Sequence, residues 1–148
     1  MSFTGKTTHL ILIDDDPSMT RLLGHVISRE FGDQLEVETM TDAEDAKARI
    51  EVGGVDIVIT DLEMPGISGL DLLRCAKGRN ALTQVLLVTG ESTQAALLEA
   101  MENGANDYLL KPVDQAELLE LVSQALDRQV RWKTALAGTW RRRAELAK

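Results

Sequence analysis

Four places in this 148-residue chain carry side chains suited to phosphate and to a hard cation: Asp14 with Asp15, Asp61, Thr89 and Lys111. Three carboxylates crowded together repel one another, so a site built from them either holds protons or binds a cation. Oxygen ligands without a nearby histidine or cysteine favour Mg²⁺ or Mn²⁺ over zinc. Magnesium prefers phosphate company. Lys111 adds a mobile positive charge and Thr89 a hydroxyl donor, the two groups that a phosphoryl oxygen would want. Asp61 is then free to act as a nucleophile toward phosphorus. The chain has no nucleotide-binding glycine loop, so a phosphoryl donor would arrive on another protein or as a small phosphodonor.

What unites these residues is that each ends a short apolar run. His9-Leu-Ile-Leu-Ile13 precedes Asp14-Asp15-Asp16-Pro17, and Ile57-Val58-Ile59 precedes Thr60-Asp61. Val85-Leu-Leu-Val88 precedes Thr89-Gly90-Glu91, and Asp107-Tyr-Leu-Leu110 precedes Lys111-Pro112. Runs this brief and this rich in branched residues suit strands buried on both faces. Leu35 to Met40 alternates apolar and polar residues as a further strand would.

Between the strands the spacing becomes helical. Met19, Leu22, Leu23, Val26, Ile27 and Phe31 predict a first helix that starts at Pro17 and stops at Gly32. Thr41 with Glu44 reads as a capping box for a second helix, which Gly53-Gly54 ends. Ser68 caps a third, which runs out near Lys77-Gly78. A fourth starts near Thr93 and ends before Gly104. A fifth starts near Asp114. Five strands alternating with five helices predict an α/β fold, a doubly wound parallel (βα)5 sheet. The economical topology is flavodoxin-like, with strand order 2-1-3-4-5, which brings all four polar clusters to one sheet edge.

The chain is long enough for one domain with a sizeable core. It has no apolar run of membrane-spanning length, and its N-terminus lacks the apolar core of a signal peptide. The single cysteine, Cys75, excludes an intrachain disulfide and a CxxC metal site and reads as a half-buried helix residue. A cytoplasmic home is expected. Residues 128–148 hold seven bases and one acid, a balance of +6, so the other 127 residues carry −14 of the net −8. Such an acidic body attracts cations and repels nucleic acid.

The chain resembles the receiver domain of two-component response regulators over residues 9–127. The fragments that carry the resemblance are I-L-I-D-D-D-P, D-L-E-M-P-G-I-S-G-L, L-V-T-G-E and G-A-N-D-Y-L-L-K-P, in that order. The resemblance implies that Asp61 is a phosphoacceptor, served by a sensor histidine kinase or a histidine phosphotransfer protein. It implies that Asp14 and Asp15 hold Mg²⁺, Asp15 the more directly, with help from the backbone carbonyl of Glu63. The Glu63 side chain sits where the family varies and often tunes dephosphorylation. Thr89 and Lys111 would hold the phosphoryl oxygens, and Tyr108 matches an aromatic switch position that changes the surface of the fourth helix, fifth strand and fifth helix. The family is a signalling module, not an enzyme acting on a separate substrate. Asp16 caps the first helix or reaches the metal through water.

Two other readings stay open on sequence. Asp14-x-Asp16 with Thr89 and Lys111 is similar to haloacid-dehalogenase-type phosphatases, with Asp14 as nucleophile and Asp16 as acid/base. That family wants a further acidic cluster after the lysine, where Lys111-Pro-Val-Asp114 offers one carboxylate. The other reading is a receiver-like docking module that takes no phosphate. The expected division is a receiver domain, 1–127, and a basic helical extension or linker, 128–148. In the extension Trp132, Leu136 and Trp140 recur every fourth residue. It would pair with a partner or a second copy, or lead to an output domain; pairing through the fourth helix, fifth strand and fifth helix is the other route to a homodimer. Nucleic-acid binding is disfavoured.

Overall fold

The apolar runs are the strands of one parallel sheet, and their side chains divide between two helical layers. The computed structural model describes residues 7–90 and 93–147. The first six residues, Lys148, and Glu91 of the L-V-T-G-E fragment lie outside the described residues. In chain order the elements are β1 (Thr8–Ile13), α1 (Pro17–Phe31), β2 (Leu35–Met40), α2 (Ala43–Val52) and β3 (Ile57–Asp61). There follow α3 (Gly69–Arg79), β4 (Gln84–Thr89), α4 (Gln94–Glu102), β5 (Asp107–Leu110) and α5 (Gln115–Leu146). A single 3₁₀ turn, Gly32–Gln34, joins α1 to β2. The sheet order is β2-β1-β3-β4-β5, with every neighbouring pair parallel. This is the expected doubly wound, flavodoxin-like order.

Alternation along the strands explains the layering. Leu10, Leu12, Ile57, Ile59, Leu86 and Val88 face α1 and α5, where Leu23, Ile27, Leu118 and Val122 meet them. Ile11, Ile13, Val58, Val85 and Leu87 face the other way, onto Ala46, Ile50, Leu72, Leu73 and Ala76 of α2 and α3 and Ala100 of α4. Strand β3 is buried at all five positions. Burial on both faces is what the branched, uncharged residues Ile57 to Thr60 can tolerate, and the fifth, Asp61, is a buried carboxylate at the strand's end.

Two helix boundaries differ from the sequence pattern. The cap of α2 is Asp42, whose carboxylate accepts from the Glu44 N–H, and not Thr41. Asp42 stands directly before the first helical residue, so its short side chain reaches the exposed amide that Thr41 is one residue too early to meet. Helix α3 continues through Gly78 to Arg79, and its cap is the expected Ser68, paired reciprocally with Asp71. Helix α5 is continuous through the expected division at residue 127. Gln129 is buried, and its amide donates to the carbonyls of Asp56 (2.9 Å) and Leu82 (2.8 Å). Arg128 Nε donates to Gln84 Oε1 at 2.7 Å, and Lys133 Nζ lies 2.8 Å from Asp56 Oδ1. The first turns of the extension are therefore fastened to the amino-terminal edge of the sheet. No described helix is long and apolar enough to cross a membrane.

Leu73 is fully buried between α3 and the sheet. Leu73→Ala should cost about 2–5 kcal/mol, read as a lower urea midpoint at unchanged m-value. A loss under about 1 kcal/mol would contradict this packing.

Candidate functional site

The carboxyl ends of β1, β3, β4 and β5 meet at one edge, where backbone bonds hold the loops that leave them. Asp14 N–H donates to Met40 O (3.2 Å), Leu62 N–H to Val88 O (2.8 Å) and Lys111 N–H to Thr89 O (2.9 Å). Asp61 sits opposite Val88 in the β3–β4 register and Thr89 opposite Leu110 in the β4–β5 register. After Asp61 the chain turns so tightly that Gly69 lies against the Asp61 carbonyl and Leu62 Cα, leaving no room for a Cβ. The Gly69 N–H also donates to Leu62 O at 3.0 Å. Glycine is required there by close approach, which spacing alone did not reveal.

Asp14, Asp15 and Asp61 offer carboxylate oxygens that all lie within 4.8 Å of one another. Asp14 and Asp61 are buried, 4% and 5% exposed. Lys111 answers them: its Nζ is 2.8 Å from Asp61 Oδ2 and 3.1 Å from Asp14 Oδ2. Burial pulls the Lys111 ammonium down in pKa, but its bonds to Asp61 and Asp14 outweigh burial and hold the group above its ordinary value. The remaining carboxylate oxygens accept from backbone. Asp16 N–H reaches Asp14 Oδ1 at 2.9 Å, and Glu63 N–H reaches Asp61 Oδ1 at 3.1 Å. Asp15 is exposed. Partial burial, a hydrogen bond with Asp14 and the charges of Asp14 and Asp61 push its carboxyl above the usual range.

Thr89 is fully buried, and its hydroxyl finds no partner among the described protein groups. A buried donor left unpaired costs free energy and asks for an explanation. This is the hydroxyl that the sequence pattern led us to expect beside a phosphoryl oxygen. Tyr108 is 47% exposed on β5. Asp16 is the N-cap of α1, its carboxylate accepting from the Ser18 N–H at 2.9 Å. Capping is therefore the role the structure gives this side chain. Of the sequence-predicted residues, the structure thus brings together Asp14, Asp15, Asp61 and Lys111. It leaves Tyr108 facing outward, and of Glu63 it shows the amide at Asp61.

An all-oxygen donor set this close fits a small hard cation such as Mg²⁺ or Mn²⁺. Three negative charges against one ammonium leave a deficit of positive charge that such an ion would supply.

Comparison with known proteins gives one consistent answer. The family model for the response regulator receiver domain matches residues 10–123. The C4-dicarboxylate transport transcriptional regulatory protein DctD of Pseudomonas aeruginosa is 34% identical over 120 residues, 81% of this chain and 25% of that protein. The response regulator protein PilR of the same organism is 31% identical over 78% of this chain and 25% of its own length. The transcriptional regulatory protein YkoG of Bacillus subtilis is 32% identical over 89% of this chain and 56% of its own. This chain therefore spans about a quarter to about half of these curated relatives. Among solved structures, a CheY-like receiver domain from Methanospirillum hungatei superposes with a TM-score of 0.79 at 26% identity, covering 85% of this chain and 98% of that one.

Asp15 gives a test of the site's electrostatics. Its folded-state pKa lies above the unfolded value, so the folded protein binds the extra proton and the ionised group costs stability. That cost is present at neutral pH and fades as pH falls through the raised value. In metal-free protein Asp15→Asn should raise the thermal midpoint at pH 7, with the gain shrinking as the solution is acidified through the raised value. Added Mg²⁺ should then stabilise the wild type more than the variant. An unchanged midpoint at pH 7 would contradict the charge crowding.

Proposed function

The chain belongs to the response regulator receiver domain family, and from that premise we propose that Asp61 accepts a phosphoryl group from a sensor histidine kinase or a histidine phosphotransfer protein in the cytoplasm. The observation that supports this most strongly is the Lys111 ammonium, 2.8 Å from Asp61 and 3.1 Å from Asp14, at the edge where four strands end. An Asp61 oxygen attacks phosphorus while the bond from phosphorus to the donor breaks, and that bonding pair leaves with the donor. Lys111 turns from the carboxylates to a phosphoryl oxygen, and the unpaired Thr89 hydroxyl donates to another. Asp14, Asp15 and Asp61, with the Glu63 carbonyl, would hold Mg²⁺ (or Mn²⁺), which when bound neutralises charge on the phosphoryl oxygens.

Phosphorylation replaces the single negative charge of the Asp61 carboxylate with about two on the phosphoryl oxygens. Thr89 moves toward them, and Tyr108 turns into the space it leaves. That movement would change the α4–β5–α5 face, where Leu98, Met101 and Leu110 are exposed. This face is the proposed output surface for a downstream target, an attached output domain or a second copy. Residues 1–127 would be the switching body and 128–148 the extension that carries its signal.

Incubation with acetyl phosphate and Mg²⁺, read by intact mass, should add one phosphoryl group to the wild type and none to Asp61→Asn. Label that needs Asp14 but survives Asp61→Asn would support the phosphatase reading, and no label at all the docking module.

Gly90 is exposed beside Thr89, and a Cβ there would lie 3.8 Å from Lys111 Cδ. A branched side chain would crowd the lysine that meets the phosphoryl group. Gly90→Val should slow transfer from the kinase several-fold, and an unchanged rate would count against an open site.

A further inference from the structure

Of the five α-helices, α4 is seated most lightly. It buries one residue, Ala100, whereas α1, α3 and α5 bury four each and α2 three. Its Leu98 and Met101 are 50% and 69% exposed. Apolar stabilisation scales with the area removed from water, so packing does little to hold this helix in place. Its own charges do not help. The last turn holds no base, and Glu99 and Glu102 lie near the carboxyl end, where the helix dipole favours a cation.

The cation comes from α3. Arg74 Nη2 lies 2.6 Å from Glu99 Oε1, and Arg74 Nε donates to Oδ1 of Asn103, the C-cap of α4, at 3.3 Å. Asn103 in turn donates to the Glu99 carbonyl from its backbone N–H (3.0 Å) and from its side-chain amide (2.7 Å). One guanidinium thus gathers the last turn of α4 and fixes it to α3. The side chains of Arg74 and Glu99 are 46% and 49% exposed, so a small displacement hands their bonds to water at little cost. The other end of α4 follows from the reactive edge: the helix begins at Gln94, five residues after Thr89. Its cap is local, with Thr93 Oγ1 accepting from the Ala96 N–H at 3.1 Å.

An ion pair made in one arrangement and lost in another shifts the balance between them by its own free energy. We propose that Arg74 is a positioning residue for phosphoryl transfer: its bonds to Glu99 and Asn103 latch α4 in the unphosphorylated arrangement, and α4 leaves them as Thr89 moves toward the phosphoryl group. The proposal rests on the reading of Asp61 as phosphoacceptor. Arg74 touches no reacting group. It sets how readily α4 follows Thr89, and through that how fast Asp61 takes label. Four buried side chains would anchor the helix against such movement. One half-exposed guanidinium holds it and lets it go.

Hydrogen exchange and acetyl phosphate labelling of the full chain test this on the wild type, Arg74→Met, Glu99→Gln and the double variant. Methionine keeps the helix preference of arginine and removes its bonds. Without phosphodonor, the amides of Leu97 to Asn103 should exchange about two- to fivefold faster in Arg74→Met, the range expected for an exposed pair. Those of Leu72 and Leu73 should not change. With acetyl phosphate and Mg²⁺, intact mass should show Asp61 labelled faster by a similar factor, because the donor meets the released arrangement more often. The double variant should match Arg74→Met, since the Glu99 bond is lost only once. The difference from wild type should shrink at high salt, where the pair is screened. Faster exchange in α4 with an unchanged or slower labelling rate would overturn the proposal and leave Arg74 a structural brace. So would unchanged exchange in α4, or exchange that quickens equally in α3. A wild type that takes no label overturns the phosphoacceptor reading and the latch with it; a labelled wild type whose variants keep its rate overturns the latch alone.

Discussion

The Lys111 ammonium stands between Asp61 and Asp14, two carboxylates that are almost fully buried. Without it the ends of β1 and β3 would carry unpaired charge in a region of low dielectric, where charge is expensive. With it they lie close together around one ammonium, yet Asp15 still adds a third acid that the lysine does not bond. The folded protein is therefore held in a state that wants more positive charge on one side and, at Thr89, a missing hydrogen-bond acceptor on the other. On the proposed reading, a phosphoryl group accompanied by a divalent cation would supply both. The rest of the sheet keeps these mismatched groups in register.

The opposite edge of the sheet does the reverse. There Gln129 caps the carbonyls of Asp56 and Leu82, Asp56 accepts from both His9 N–H and Lys133, and Arg128 holds Gln84. These contacts tie α5 to β3 and β4 on the side away from Asp14 and Asp61. A displacement of α4 and β5 at one end is then felt against a helix anchored at the other. The charge division along α5 begins where this anchoring begins, at residues 127 and 128.

Much of this was legible in the sequence because it follows from local rules. Branched apolar runs such as Ile57-Val58-Ile59 can only be strands in a chain of this spacing, and a residue that ends such a strand falls at the ligand edge. Asp14, Asp61, Thr89 and Lys111 were found in that way. The expected cap at Thr41 failed because Thr41 and Asp42 are both good caps, and only the backbone decides which comes first. Gly78 looked like a stop, but no left-handed turn is needed there. The contacts of Gln129 and Lys133 with Asp56 span more than seventy residues, beyond the reach of any spacing rule. Nor does sequence reveal that the Thr89 hydroxyl is buried without a partner among the described residues, since that depends on where every neighbour points.

The most direct measurement is a crystal structure of the protein loaded with Mg²⁺ and beryllofluoride, a mimic of the phosphoryl group on Asp61. The expected result has Lys111 Nζ and Thr89 Oγ1 both within hydrogen-bond distance of the fluorides, with Tyr108 turned inward from its exposed position. A structure in which beryllofluoride sits on Asp61 while Thr89 stays unpaired and Lys111 keeps both carboxylates would contradict it. In that case the lysine would be a structural clamp and not the group that reads phosphate.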